Sequence, residues 1–184
     1  PDRGNVRFEG RDLAGLSETE HAKLMRGRIG WVRRTGPRSE LRMLDYVALP
    51  LLAVHGHRGA YSRAREALAR VRVVECAGQV WGSLSDGERA LVGIARGIVR
   101  TPSLLLVDDP TTNLGVRERE EVIELLRKLA DETDLGVLMV VPDMPAMMGA
   151  HQIMALSGGR IIAPPDPSDR PGNVIDLHSG GRSA

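Results

Sequence analysis

Cysteine occurs once in the 184 residues, at Cys76, which excludes an internal disulfide framework and fits a reducing compartment. Aromatic side chains are nearly as scarce: two Trp, two Tyr and one Phe, 3% of the chain. So few rings leave no stacking platform for bases, and a formal net charge of +1 leaves no electrostatic footprint for a nucleic acid. No apolar run approaches the roughly 18–20 residues of a membrane span, and no segment reads as a secretory signal. Lysine is all but missing. Lys23 and Lys128 are the only two, and neither follows a glycine. What remains, 42% hydrophobic and 27% charged, is ordinary for a globular protein, and the length suits one domain with a small subdomain attached.

Along the chain, Val6 to Gly10 alternates apolar and polar and predicts a short strand and turn. Ser17 with Glu20 three residues on is a capping-box pattern for a helix running to about Met25. Arg28 to Val32 reads as a strand, and Thr35 to Ser39 as a loop. The pattern is helical from Leu44 to about Arg72, interrupted near His55–Gly59, and again from Ser85 to Arg100. Ser103 to Val107 is wholly apolar, as expected of a strand buried on both faces of a parallel sheet, and Gly136 to Val141 reads the same way. Between them Val116 to Asp131 is an amphipathic helix. Gln152 to Ile162 reads as a hairpin, and the Pro-, Asp-, Ser- and Gly-rich stretch after Ala163 as a tail. Buried strands separated by helices mean an α/β fold with a parallel sheet. The helical middle is too long for one crossover and predicts an inserted helical subdomain.

Two linked motifs carry the chemistry. Leu84-Ser85-Asp86-Gly87-Glu88-Arg89 opens a helix, so that the Ser85 hydroxyl, backbone N–H groups and the positive end of the helix dipole can face phosphate oxygens, with Gly87 permitting close approach. Leu104-Leu105-Leu106-Val107-Asp108-Asp109-Pro110-Thr111 is an apolar strand delivering two carboxylates to its C-terminal edge, where ligands of open α/β sheets sit. In such a pair the first carboxylate is placed to hold Mg2+ through water and the second to orient an attacking water. Taken singly, an N-cap serine is usually only a cap, and an Asp-Asp strand end only a turn. Their order and spacing together point past that reading. His55 and His57 flank Gly56 without further ligands and read as a solvated loop, and the clustered methionines as core filler.

On these motifs the chain resembles the ABC (ATP-binding cassette) ATPases, most of all those of lipoprotein-releasing and macrolide-exporter type, from Gly4 to about Ile162. Leu84–Glu88 is similar to the signature, Leu106–Thr111 to Walker B, Thr112–Gly115 to the D-loop, Arg28–Val32 to the strand before the Q-loop, and Val137–Arg160 to the switch region and final hairpin. The resemblance implies a P-loop NTPase-like parallel sheet core with an inserted helical subdomain, the N-terminal part of that core falling before these residues. The implied division is 1–34 and 101–163 for the core, 35–100 for the helical subdomain with the signature, and 164–184 for the tail. The family's phosphate-binding loop would lie shortly upstream of Gly4.

Several positions depart from the family pattern. Arg34 stands at the Q-loop glutamine, Asp109 at the catalytic glutamate, Pro142 at the switch histidine, Gly115 at the D-loop aspartate and Asp86 at a signature glycine. Arginine offers no acceptor and proline no polar side-chain atom. An aspartate stops one methylene short of a glutamate, and a misplacement of about 1 Å can cost roughly a hundredfold in rate. The resemblance therefore implies ATP and Mg2+ as cofactors, Asp108 as the Mg2+ residue, and Ser85, Asp86, Gly87 and Glu88 facing a partner's nucleotide. It implies a second ABC ATPase subunit and a transmembrane permease as partners, at the cytoplasmic face of the membrane, with a weak or inactive hydrolytic site. A structural subunit that does not bind ATP is the alternative.

Overall fold

The computed structural model describes residues 5–33, 35–37, 40–141, 150–157 and 160–162. The chain opens with a small hairpin, β1 (Arg7–Phe8) and β2 (Arg11–Asp12), joined by Glu9 and Gly10, both in the left-handed region at φ 49° and 77°. Positive φ at both central residues matches the right-handed twist of a tight hairpin, and glycine takes the second position without strain. Only the first of these strands was legible in the sequence. Helix α1 (Glu18–Gly27) begins at Ser17 with the expected reciprocal cap: Ser17 N–H donates to Glu20 Oε2 at 3.0 Å, and Glu20 N–H to Ser17 Oγ at 3.3 Å.

The main sheet has three parallel strands in the order β3 (Ile29–Val32), β4 (Leu104–Asp108), β5 (Gly136–Val140). Ile29 is level with Leu104, and Leu104 with Gly136. Between β3 and β4 the chain inserts helices α2 (Met43–Ala48), α3 (Leu52–Arg70) and α4 (Asp86–Ile98). The interruption expected in α3 is a kink at Gly56, whose φ of 63° and ψ of 178° no helix permits. Helix α5 (Val116–Glu132) crosses from β4 to β5, and β6 (Ala155–Ser157) pairs antiparallel with β7 (Arg160–Ile162). One hydrophobic cluster runs from Val32 through the inserted helices (Met43, Val47, Leu68) to Leu105, Val107, Leu126 and Leu135.

Helix α4 sits unusually close to the sheet. A β-carbon added at Gly30 would overlap the Gly97 carbonyl oxygen, and one added at Gly97 would lie 2.7 Å from Leu105 Cδ1. Gly93 faces Val32 and the Arg33 carbonyl, while Gly97 faces Gly30 and Leu105. The helix therefore runs antiparallel to the strands, with its N-terminus at their C-terminal end.

The strands are less buried than their composition predicts. Leu105 and Val107 are buried, but Leu104 and Leu106 are only half so; in β5, Leu138 is 49% exposed and Val140 63%. Alternation along a strand divides these residues between two faces. One face, with Gly30, Val32, Leu105 and Val107, lies under α4; the other, with Trp31 (46% exposed), Leu138 and Val140, is open among the described residues.

Candidate functional site

Because α4 runs against the strand direction, its N-terminal turn projects beyond the C-terminal end of the strands, the end at which β4 delivers Asp108 and Asp109. Asp108 ends β4 with an exposed side chain and is level with Val140.

Ser85 caps α4 as the spacing predicts. Its hydroxyl oxygen accepts from Glu88 N–H at 3.2 Å, and the Glu88 carboxylate accepts from Ser85 N–H at 2.8 Å. Hydrogen bonds from Ser85 to that carboxylate, its backbone N–H first and its hydroxyl second, hold the Glu88 carboxyl below the usual range and keep it ionised. Glu88 Oε1 also receives the Cys76 thiol at 3.5 Å. Burial first, and the nearby Glu88 charge second, push that thiol up to about 11. Glu88 therefore acts as a structural cap of α4. Asp86 is exposed and pairs with Arg89 at 3.0 Å; Arg89 Nε in turn donates to the Trp81 carbonyl at 3.2 Å, fastening the loop before the helix.

Gly87 is buried, and the space where its side chain would stand is filled from within the chain: an added β-carbon would lie 2.9 Å from Glu118 Oε1. Glu118 Oε2 accepts from Gly115 N–H at 3.1 Å, which caps α5. The close approach that the glycine permits is thus made by this chain's own carboxylate. Sequence reasoning passed over Glu118; its place three residues after Gly115 was the available signal.

Asp109 lies in the left-handed region at φ 42°, and its N–H donates to the Val140 carbonyl at 2.9 Å. Its carboxylate turns back on the following residues: Oδ1 accepts from Thr112 N–H at 3.2 Å and Thr111 Oγ at 3.3 Å, and Oδ2 from Thr112 Oγ. Thr111 is 1% exposed, the one buried polar residue among the described residues. Arg34 and Pro142 lie outside the described residues. Close to Arg34, the Arg33 guanidinium stacks 4.8 Å over Trp31, and Gly36 lies flat on the Trp81 indole, where any β-carbon would overlap the ring. Trp81 meets Tyr46 edge-on at 6.0 Å, and the Arg96 guanidinium lies over the Tyr46 ring at 4.3 Å.

No group of three metal-ligating side chains occurs among the described residues. A Mg2+ that keeps its waters and takes phosphate oxygens needs only one or two protein carboxylates, and the exposed Asp108 fits that requirement.

The profile of the ABC transporter family matches residues 1–112. The methionine import ATP-binding protein MetN of Rhizobium etli is 36% identical over 165 residues, covering 88% of this chain and 45% of its own length. The lipoprotein-releasing system ATP-binding protein LolD of Cereibacter sphaeroides is 32% identical over 164 residues, with 88% and 73% covered. This chain thus spans less than half of MetN and about three quarters of LolD. Among solved structures, a dimeric post-hydrolysis state of the ATP-binding cassette MJ0796 bound to ADP and Pi is similar at a TM-score of 0.75 and 28% identity, covering 88% of this chain and 72% of that one. With a serine-capped helix, an acid-tipped strand in a parallel sheet and a fold shared with that cassette, the chain belongs to the ABC transporter ATP-binding family.

Proposed function

We propose that this chain is the ATP-binding part of a transporter subunit that pairs with a second cassette and drives a transmembrane permease from the cytoplasmic face, with a weak hydrolytic site of its own. No described helix is long and apolar enough to cross a membrane, so the permease would be a separate region or chain. Asp108 would hold Mg2+, which would supply positive charge for the nucleotide's phosphates. Ser85 and the N-terminal turn of α4 complete the partner's site with a hydroxyl and backbone donors. Arg34 and the segment after it, in which Gly36 packs on Trp81, contact the permease.

The observation that carries the weak-hydrolysis reading is the direction of the Asp109 carboxylate. Both its oxygens are engaged by Thr111 and Thr112, and it is a methylene shorter than the glutamate that the family places there. Asp86 adds a negative charge beside the helix end meant for phosphate, and Arg34 and Pro142 supply neither of the polar groups they replace.

The test is steady-state ATP hydrolysis by the full-length protein with its partners, together with direct nucleotide binding. Asp109→Glu is expected to leave turnover about a hundredfold or more below that of a fully active cassette, because the other positions stay altered. Full turnover from this one replacement refutes the weak site. No binding at millimolar ATP favours the alternative, a structural subunit that does not use nucleotide.

A further inference from the structure

We propose that Asp109 is a positioning residue: its carboxylate builds the turn 109–115 through Thr111 and Thr112, and so sets the surface that follows the acid-tipped strand. That this surface meets a second cassette rests on the function proposed above. That Asp109 builds the turn does not.

Three features of the turn support this role. Its first residue holds a left-handed φ of 42°, a conformation that is costly for an L-residue and that aspartate tolerates better than most. The Asp109 N–H is fixed to the Val140 carbonyl, so the backbone enters the turn from a point pinned to β5. From there the carboxylate accepts one backbone N–H and two hydroxyls from the next three residues.

The rest of the turn depends on that start. Thr111, buried with its hydroxyl on Asp109, offers its carbonyl to Leu114 N–H at 3.2 Å. Asn113 takes a second left-handed conformation at φ 67°, which lets Leu114 return to the core at 7% exposure. Gly115 then enters α5 with its N–H on Glu118, and Glu118 leans over Gly87 at the start of α4. A continuous line of contacts thus joins the tip of β4 to the serine-capped helix within one chain.

Side-chain length explains why aspartate suits this place. An Asp or Asn oxygen reaches a backbone N–H two or three residues on; a glutamate carries its oxygens one bond too far for that closure and aims them outward instead. The residue trades reach toward a water for control of the turn.

Amide hydrogen exchange on the full-length protein without nucleotide reads the turn directly. Asp109→Ala and Thr112→Val should each raise exchange at residues 112–115 about tenfold or more, and the double variant should be no worse than Asp109→Ala alone, because both remove one network. Asp109→Asn, which keeps the Oδ1 acceptor, and Thr112→Ser, which keeps the hydroxyl, should restore slow exchange. Unchanged exchange in Asp109→Ala, or strictly additive effects, overturns the proposal. A second arm measures ATP-dependent pairing: Thr112→Val should weaken it about tenfold and Thr112→Ser restore it. If exchange responds as stated while the unaltered protein never pairs, the turn-building role stands and the proposed function fails.

Discussion

Gly30→Ala is the sharpest probe of the geometry that places the site, because α4 reaches the sheet edge only by lying against β3. The added methyl would overlap the Gly97 carbonyl oxygen and approach Leu105 Cδ1 to 2.8 Å. The Gly97 oxygen is helix backbone and has no rotamer to yield, so the helix itself must move, by about 1 Å. Over-packing of this kind costs about 1–3 kcal/mol, and a gap of 0.5–1 Å forfeits a quarter to a half of each dispersion contact along the interface. The expected loss is therefore about 3 kcal/mol. For a domain of 150–250 residues each kcal/mol lowers Tm by about 2–4 °C, which gives a fall of roughly 6–12 °C. Gly97→Ala should cost less: its new methyl meets movable side chains, Leu105 at 2.7 Å and Val32 at 3.1 Å, and alanine gains about 1 kcal/mol over glycine within a helix. Gly27→Ala, at the end of α1 with nothing within 4 Å, should leave Tm unchanged or slightly raised. Calorimetric unfolding of the full-length protein ranks the three. A Gly30→Ala protein that melts within about 1 °C of the parent would refute the close packing and the helix placement derived from it.

Ser85→Ala removes the acceptor for the Glu88 N–H and should lower stability by about 1 kcal/mol in denaturant unfolding; an unchanged midpoint would mean that the cap is idle. Cys76, fully buried with its thiol pushed up to about 11, should resist alkylation at pH 8 until the protein is unfolded. The same shift has a sign for stability: the folded state binds the thiol proton more tightly than the unfolded chain. The contribution is therefore full below about pH 9 and is lost between the thiol's ordinary value of 9.0 and about 11, visible as a falling unfolding midpoint that Cys76→Ala should flatten. Gly36→Ala must lift its segment off the Trp81 indole. In a Trp31→Phe background, where Trp81 is the sole tryptophan of these 184 residues, it should shift the emission spectrum, and an unshifted spectrum would refute that packing.

Much of the framework was legible in the sequence because each element carried a local cause. Ser17 with Glu20 and Ser85 with Glu88 announce two helix starts, and both caps form as spaced. The apolar run ending in Asp108-Asp109 lies in a parallel sheet, with the carboxylates at its C-terminal edge. The burial of β5 was misjudged because composition reports what a strand could bury, whereas exposure depends on what packs above it. At the site, Asp109 was recognisable by position but its orientation was not, since that is decided by the hydroxyls of Thr111 and Thr112. Nor could spacing alone reveal that Glu118 fills the space above Gly87, which depends on two helices meeting far apart in the chain.

The open side of the sheet has a practical consequence at the bench. β5 ends the sheet among the described residues, so its main-chain edge has no neighbour there, and its five residues, Gly-Val-Leu-Met-Val, carry no charge to repel another strand. With Trp31, Leu138 and Val140 on the adjoining face, a preparation limited to these 184 residues would present a water-averse slab with a templating rim. Such material should associate with itself as its concentration rises, and light scattering should fall when a lysine replaces Val140.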